Sequence, residues 1–230
     1  MHETVKKIRV LKVVFDTEIR SYEVPAVRGA IVEKVGRENF YFHNHLTEDT
    51  YSYRYPLIQY KMIGHNPAII CVDYGVDEIY KYFIQESWDL RIRDREIKMK
   101  VKTLNLDTHE IILNSQLYHY RIDNWVGLSQ KNYEVFRNAE SLAEKIVMME
   151  HILTGNILSF AKGINWTVPD QIRLKITGLV KEKWVPVKGV KVKAFDLNFK
   201  TNLLLPGYIG LGKNISLGFG TISNELAIRN

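Results

Sequence analysis

The stretch HNHLTEDTYSYRYP, residues 43–56, places two histidines and three tyrosines close together. Residues two apart in an extended backbone point to the same face, about 7 Å apart, so His43 and His45 could face one substrate. With an unperturbed pKa of about 6.5, two imidazoles could remove one proton and deliver another near neutral pH. Ordinary surface or core histidines are the common alternative for so short a motif. Metal ligation is a third interpretation, with Glu48 and Asp49 as further ligands.

A second stretch, PGYIGLGKNISLGFGTI (206–222), is rich in glycine. Glycine lets a ligand approach the backbone closely, and successive N–H groups can form a concave anion site beside a charge such as that of Lys213. The Rossmann and Walker patterns do not fit, because they need a strand, a loop and then a helix, and Walker A needs Gly-Lys-Ser/Thr. A glycine-rich hairpin with bulges is the structural alternative. The glycines concerned are Gly207, Gly210, Gly212, Gly218 and Gly220.

The composition restricts the class of protein. The chain has 230 residues, enough for one large or two small domains, and its net charge of +6 weakly favours a polyanionic partner. A single cysteine, Cys71, excludes an internal disulfide and thiolate zinc knuckles. We find neither a secretory signal nor an apolar run of about 20 residues, so we expect a cytoplasmic protein with no membrane association.

The first half of the chain predicts a β-α-β-β-α-β order. Residues 5–15 are valine-rich and strand-like, and a helix follows, with Pro25 in its first turn and Gly36 at its end. A hairpin is expected over residues 53–75, a helix over 76–86 and an alternating strand over 95–103. This is the split βαβ order called ferredoxin-like.

The second half predicts a repetition of this theme. A strand at 117–123 precedes a helical region, and strands are expected at 171–180, 187–199 and 215–222. We therefore predict an α+β fold of two tandem ferredoxin-like (RRM-like) domains packed together, 1–108 and 109–230, joined near residues 104–116. The apolar stripe of the long helix recurs at steps of three and four: Leu142, Ile146, Met149, Leu153, Ile157, Phe160 and Ile164.

Several of these segments together resemble the CRISPR-associated endoribonucleases of family six, which cut repeat transcripts into guide RNAs. RGAIVEKV, FHNH and YRYPLIQYK resemble the N-terminal domain of the branch found in subtype I-B systems. NWVGLSQKNY and ILTGNILSFAKGI resemble that branch's helical segment, and GLGKNISLGFGTI resembles the superfamily's glycine-rich signature. The resemblance runs the whole length of the chain.

The resemblance implies cleavage without a metal or other cofactor. A ribose 2′-hydroxyl attacks the adjacent phosphorus, leaving a 2′,3′-cyclic phosphate and a 5′-hydroxyl. His45 and His43 match the family's histidine pair, and Tyr53 is our choice for its tyrosine, although Tyr51 and Tyr55 lie in the same window. A phenol with a pKa near 10 suits a donor better than a base.

The substrate implied is CRISPR repeat RNA, and other Cas proteins of a type I effector complex or a second copy of the chain are further candidate partners. Proteins read A-form RNA through phosphates, shape and flanking single strands. Arg54 or Lys61 could offset charge on the phosphorane. We see no RNP1-like aromatic pattern for stacking bases on a sheet face. The remaining candidate RNA-binding residues are Gly210, Gly212, Lys213, Gly218, Gly220, Lys191 and Lys193.

Two alternatives to this nuclease stay open. The first is a catalytically inactive subunit that binds repeat RNA without cutting it, since a fold alone never proves an activity. The intact pair His43 and His45 favours the enzyme, because a binding subunit has no need of it. The second is a metal-dependent nuclease, which a chelator would disable.

Overall fold

The computed structural model describes residues 5–43 and 54–224, and the chain divides into two compact units. Of the described residues, the N-terminal unit contains Lys7–Glu110 together with Ile215–Gly218, and the C-terminal unit contains Val5 and Lys6, Ile111–Asn214 and residues 219–224. The predicted α+β class with two ferredoxin-like domains is confirmed, while the division at residue 108 stays a prediction.

The N-terminal unit has a sheet in the order β2-β3-β1-β6, in which β3 pairs antiparallel with both β1 and β2. A separate hairpin is formed by β4 and β5. Residues 101–110 of β6 belong to this unit. The elements are β1 (Val5–Phe15), α1 (Val24–Val35), β2 (Ile58–Ile63), β3 (Asn66–Val72), α2 (Gly75–Glu78), α3 (Tyr80–Phe83), β4 (Leu90–Ile92), β5 (Arg95–Ile97) and β6 (Val101–Trp125).

The core of this unit follows from the 3.6-residue period of α1. The buried residues of α1 recur at steps of three and four, and they pack against buried side chains of the sheet, including Phe15 and Tyr60. Pro25 stands in the first turn of α1, as predicted. The buried positions of this helix are Val24, Val27, Ile31 and Val35.

The C-terminal unit has an antiparallel sheet in the order β9-β6-β8-β7. The helices begin at serine caps, because Ser129 accepts a hydrogen bond from the N–H of Asn132 and Ser141 from that of Glu144. The remaining elements are α4 (Gln130–Asn138), α5 (Leu142–Gly163), β7 (Leu174–Val187), β8 (Val190–Leu203) and β9 (Thr221–Asn224).

The predicted stripe of α5 is largely the core of this unit. Five of its seven residues, from Met149 to Ile164, are buried, but Leu142 is exposed in the first turn and Ile146 is only partly buried. On the sheet, Tyr120 and Phe199 stack with ring centroids 5.4 Å apart. Within the described ranges, no helix has the length and apolar character to cross a membrane.

Three element predictions were wrong. The helix expected at 76–86 is two single turns, and the strand expected at 95–103 is divided between β5, which ends at Ile97, and β6, which begins at Val101. The strand expected at 215–222 begins only at Thr221, after a 3₁₀ turn at Ile215–Leu217. Gly218 and Gly220 have φ of +89° and +60°, which an extended strand does not allow.

Candidate active site and nucleic-acid interface

His43 directly follows a 3₁₀ turn, Phe40–Phe42, at the end of the first described range. Its Nε2 lies 2.6 Å from the backbone carbonyl oxygen of Arg37. A carbonyl oxygen only accepts hydrogen bonds, so Nε2 must carry the proton in this contact. In the neutral ring, Nδ1 is then the nitrogen that can accept a proton. The backbone thus selects one tautomer of this histidine.

Arg28 of α1 holds the backbone at the same point. Its Nη2 donates to the carbonyl oxygen of His43 at 2.6 Å, and its Nε is buried with no acceptor among the described residues. Burial lowers the pKa of Arg28, an effect that the nearby Tyr60 opposes. Sequence analysis missed this residue, although a signal existed. Position 28 falls four residues after Val24, on the stripe of α1 that is otherwise apolar.

Tyr60 of β2 supports the 3₁₀ turn from the core. Its hydroxyl donates to the carbonyl oxygen of Phe42 at 3.3 Å, and complete burial raises the pKa of this phenol well above its usual value. The Tyr60 hydroxyl is therefore an uncharged hydrogen-bond donor at neutral pH. Together with Arg28 it ties the two carbonyls at 42 and 43, where the segment bearing His45 begins.

Lys61, expected to contact RNA, is 2% exposed. Strand alternation places it on the face of β2 opposite Tyr60. Burial lowers the pKa of this lysine to about 7. Gly218 lies beside it, since a Cβ on that glycine would be 3.7 Å from the Lys61 Cα and 3.4 Å from the carbonyl oxygen of Tyr60. Lys61 is therefore a buried group whose charge changes with pH near pH 7, and it does not lie on a solvated strand face.

The other predicted residues of this region divide between described and undescribed positions. Arg54 is exposed, and Tyr55 is buried with its hydroxyl accepting a hydrogen bond from Gln59 at 2.9 Å. Burial favours a packing role for Tyr55 over the catalytic one. Outside the described residues lie His45, Tyr53, Tyr51, Glu48 and Asp49.

The glycine-rich loop of the C-terminal unit uses its glycines for packing. A Cβ on Gly220 would collide with the carbonyl oxygen of Leu211, and one on Gly212 would lie 2.9 Å from the Trp125 ring. The N–H groups of Lys213 and Gly220 donate to carbonyl oxygens of the same unit. These two N–H groups are therefore used inside the fold. The N–H of Gly218 is used within the N-terminal unit, where it donates to the carbonyl oxygen of Ile215. Gly210 is buried and bridges to Thr221, so an RNA contact from this loop is expected from the exposed Lys213 side chain.

The two strand lysines differ in their surroundings. Lys191 is exposed, whereas Lys193 forms an ion pair with Glu182 and places its ammonium 4.8 Å from the centroid of the Trp184 ring. Lys193 is therefore partly neutralised within the protein, and Lys191 is the better candidate for a phosphate contact.

Within residues 5–43 and 54–224, no three acidic, histidine or cysteine side chains come together in a group that could hold a metal ion. Cys71 is buried, and burial raises the pKa of its thiol well above the usual value, so it is a core residue and not a thiolate ligand.

Comparisons with known proteins agree with this architecture. Family models of the Cas6b N-terminal domain and the Cas6b C-terminal domain match residues 6–110 and 112–225. An uncharacterized protein of Methanocaldococcus jannaschii is 34% identical over 103 residues, which is 44% of this chain and 67% of that protein.

Two solved structures each match 95% of this chain over the whole length of their own chain. One, a crystal structure of Cas6b, has a TM-score of 0.85 at 25% identity. The other, a crystal structure of the CRISPR RNA processing endoribonuclease Cas6b, has a TM-score of 0.71 at 23% identity. The two family models together match both units, and the chain therefore belongs to the Cas6b family.

Proposed function

We propose that this chain cleaves CRISPR repeat transcripts into guide RNAs without a metal ion. The 2′-hydroxyl of the ribose before the scissile bond loses its proton to a base, and its oxygen forms a bond to the adjacent phosphorus. The bond from phosphorus to the 5′-oxygen breaks, and that oxygen receives a proton from an acid. The products are a 2′,3′-cyclic phosphate and a 5′-hydroxyl.

The observation that carries this proposal is the double anchoring of residues 42 and 43. A proton-transfer group must be held within hydrogen-bond reach of the group it serves. His43 has a defined tautomer with Nδ1 as its acceptor, and Arg28 and Tyr60 fix the backbone at the start of the loop. A loop that only joins a 3₁₀ turn to a strand has no need of an arginine with a buried Nε at its base.

The residues proposed for the reaction are His45 and His43 as the proton-transfer pair, with Tyr53 as an orienting donor. Arg54 and Lys61 are proposed to offset the negative charge that develops on the phosphorane, as fixed cations do in other sites. Lys61 serves this purpose only when protonated, and its lowered pKa makes that depend on pH near neutrality.

The proposed substrate is a transcript of the CRISPR repeat, and the proposed location is the cytoplasm. One structural relative is itself named a CRISPR RNA processing endoribonuclease. Retention of the product in a type I effector complex, and pairing with a second copy of the chain, are further parts of the proposal.

The test is incubation of the purified protein with repeat RNA in excess EDTA, followed by analysis of the 3′ ends. Cleavage at one site that leaves a cyclic phosphate, and is lost in His45→Ala, is the expected result. His65→Ala is a matched control, since His65 lies in the turn between β2 and β3. Tight binding without cleavage would favour the inactive RNA-binding subunit, and cleavage abolished by EDTA would make the histidines metal ligands.

A further inference from the structure

Residues 181–193, here called the hairpin arm, concentrate the positive charge of the chain. The arm contains five lysines and one glutamate, a net charge of +4, while the whole chain has +6. The pairing of β6 with β8 reaches Phe195, so the arm beyond it is a ribbon of two strands, β7 and β8. Lys188 and Gly189 close it with φ of +49° and +80°, as a two-residue hairpin turn requires.

One face of the arm carries an exposed tryptophan. Trp184 is 51% exposed, although large aromatic side chains usually bury most of their surface. Its ring meets the Tyr133 ring of α4 edge-on, with centroids 5.6 Å apart, and the Lys193 ammonium lies 4.8 Å from its centroid. These contacts hold the ring in place while half of its surface stays in solvent.

Exposed lysines precede and follow this ring along the arm. Pro186 and Lys191 form the next cross-strand pair on the same face, because they are two residues from Trp184 and Lys193. Lys188 is exposed in the turn, and Lys181 is exposed at the base of the arm. An immobilised aromatic ring beside several cations matches the chemistry of single-stranded RNA, in which flat bases alternate with phosphates. The exposed large apolar residues of the arm, Trp184 and Val190, lie among five lysines, and a surface this basic favours a nucleic acid over a folded protein as partner.

We propose that the hairpin arm binds a single-stranded segment of the substrate RNA, with one base stacked on Trp184 and adjacent phosphates at Lys188 and Lys191. The proposal rests on the proposed function and adds a binding site to it. Lys193 acts here as a positioning residue, because its ion pair with Glu182 and its contact with the ring hold Trp184 in place.

The test measures binding of repeat RNA with a 2′-deoxy residue at the cleavage site, after the wild type has been used to map that site. Trp184→Ala is expected to weaken binding by about 10- to 100-fold, because this variant loses the stacking of one base on the ring. Trp184→Phe is expected to lose less. Tyr80→Ala is the matched control, because Tyr80 is 52% exposed in the N-terminal unit and is expected to change binding by less than about 2-fold.

A scan with single abasic nucleotides identifies the stacked base. At one position an abasic nucleotide is expected to weaken binding by the wild type but not by Trp184→Ala, a non-additivity that marks direct contact. Lys191→Ser is expected to flatten the dependence of log K on log salt by about 0.7, the value for one phosphate of a single strand. Lys98→Ser, an exposed lysine of the other unit, is expected to leave that slope unchanged.

The outcomes separate the two proposals. A wild type that neither binds nor cuts the repeat overturns the proposed function. A wild type that cuts the repeat, together with a folded Trp184→Ala variant that binds as tightly, overturns the arm proposal alone. Unchanged RNA affinity with a shift in sedimentation of that variant also overturns it, because the arm would then be a protein interface.

Discussion

Replacing Lys61 by methionine is expected to flatten the pH dependence of the protein's stability. Burial lowers the pKa of this lysine from 10.5 to about 7. Between these two pH values the unfolded chain binds more protons than the folded one, so the free energy of unfolding of the wild type rises with pH. Below pH 7 the cost of burying the charge is fully present, and at 1.36 kcal/mol per pKa unit it is at most about 5 kcal/mol. Methionine does not titrate, so we expect the stability of the variant relative to the wild type to fall by about 2 to 5 kcal/mol between pH 7 and pH 10.5.

Urea unfolding at about pH 7 and about pH 10 measures this difference. The difference arises because the wild-type lysine loses its charge near pH 7 in the folded state but only near pH 10.5 in the unfolded state. Lys98→Met, at an exposed position, is the control and should change stability little at either pH. A Lys61→Met variant that keeps the full pH dependence of the wild type would refute the reasoning from burial. Cleavage is measured separately, and its loss in the folded variant is expected if this charge serves the reaction.

Three further predictions concern the supports of the histidine loop and the glycine-rich loop. Arg28→Gln is expected to lower the single-turnover cleavage rate by about 10- to 100-fold while RNA affinity changes little, because it displaces His43 rather than a binding group; equal losses in rate and affinity would contradict this. Tyr60→Phe removes one buried hydrogen bond and is expected to lower the unfolding free energy by about 1 kcal/mol in urea titrations. Gly220→Ala is expected to lower the thermal unfolding temperature markedly through a backbone clash, whereas Gly29→Ala, in open space within α1, should raise it, having a stabilising effect of about 0.5 to 1 kcal/mol.

Periodicity determined most of what could be predicted of the fold. The valines of β1 and the stripes of α1 and α5 repeat with the periods of their elements, so the buried faces follow from the chain itself. The strands of the C-terminal hairpin were also expected, at 171–180 and 187–199, but they run later in the chain, over Leu174–Val187 and Val190–Leu203. The continuation of β6 through residues 104–116 depends on its partners in each sheet, which the local sequence does not encode.

The candidate site was less accessible from the sequence. The pair His43 and His45 stands out by type and spacing, whereas Arg28 looks like an ordinary surface charge until its place on a buried stripe is noticed. The glycine-rich loop illustrates the opposite error. Its composition predicts available N–H groups, but those of Lys213 and Gly220 are used by carbonyl oxygens distant in sequence. Similarly, Trp184 becomes an unusual residue only once its exposure is known.

The membership of Ile215–Gly218 in the N-terminal unit has a consequence for dissecting the protein. Gly218 lies against the Tyr60 carbonyl and 3.5 Å from Val24, as judged from an added Cβ, so it covers part of β2 and α1. A polypeptide that ends at Glu110 lacks this cover and is expected to expose apolar surface. A second fragment that contains Ile215–Gly218, added in trans, should then cover this apolar surface again. Proteolytic cleavage near residue 214 would likewise weaken a unit whose other residues lie about a hundred positions earlier in the chain.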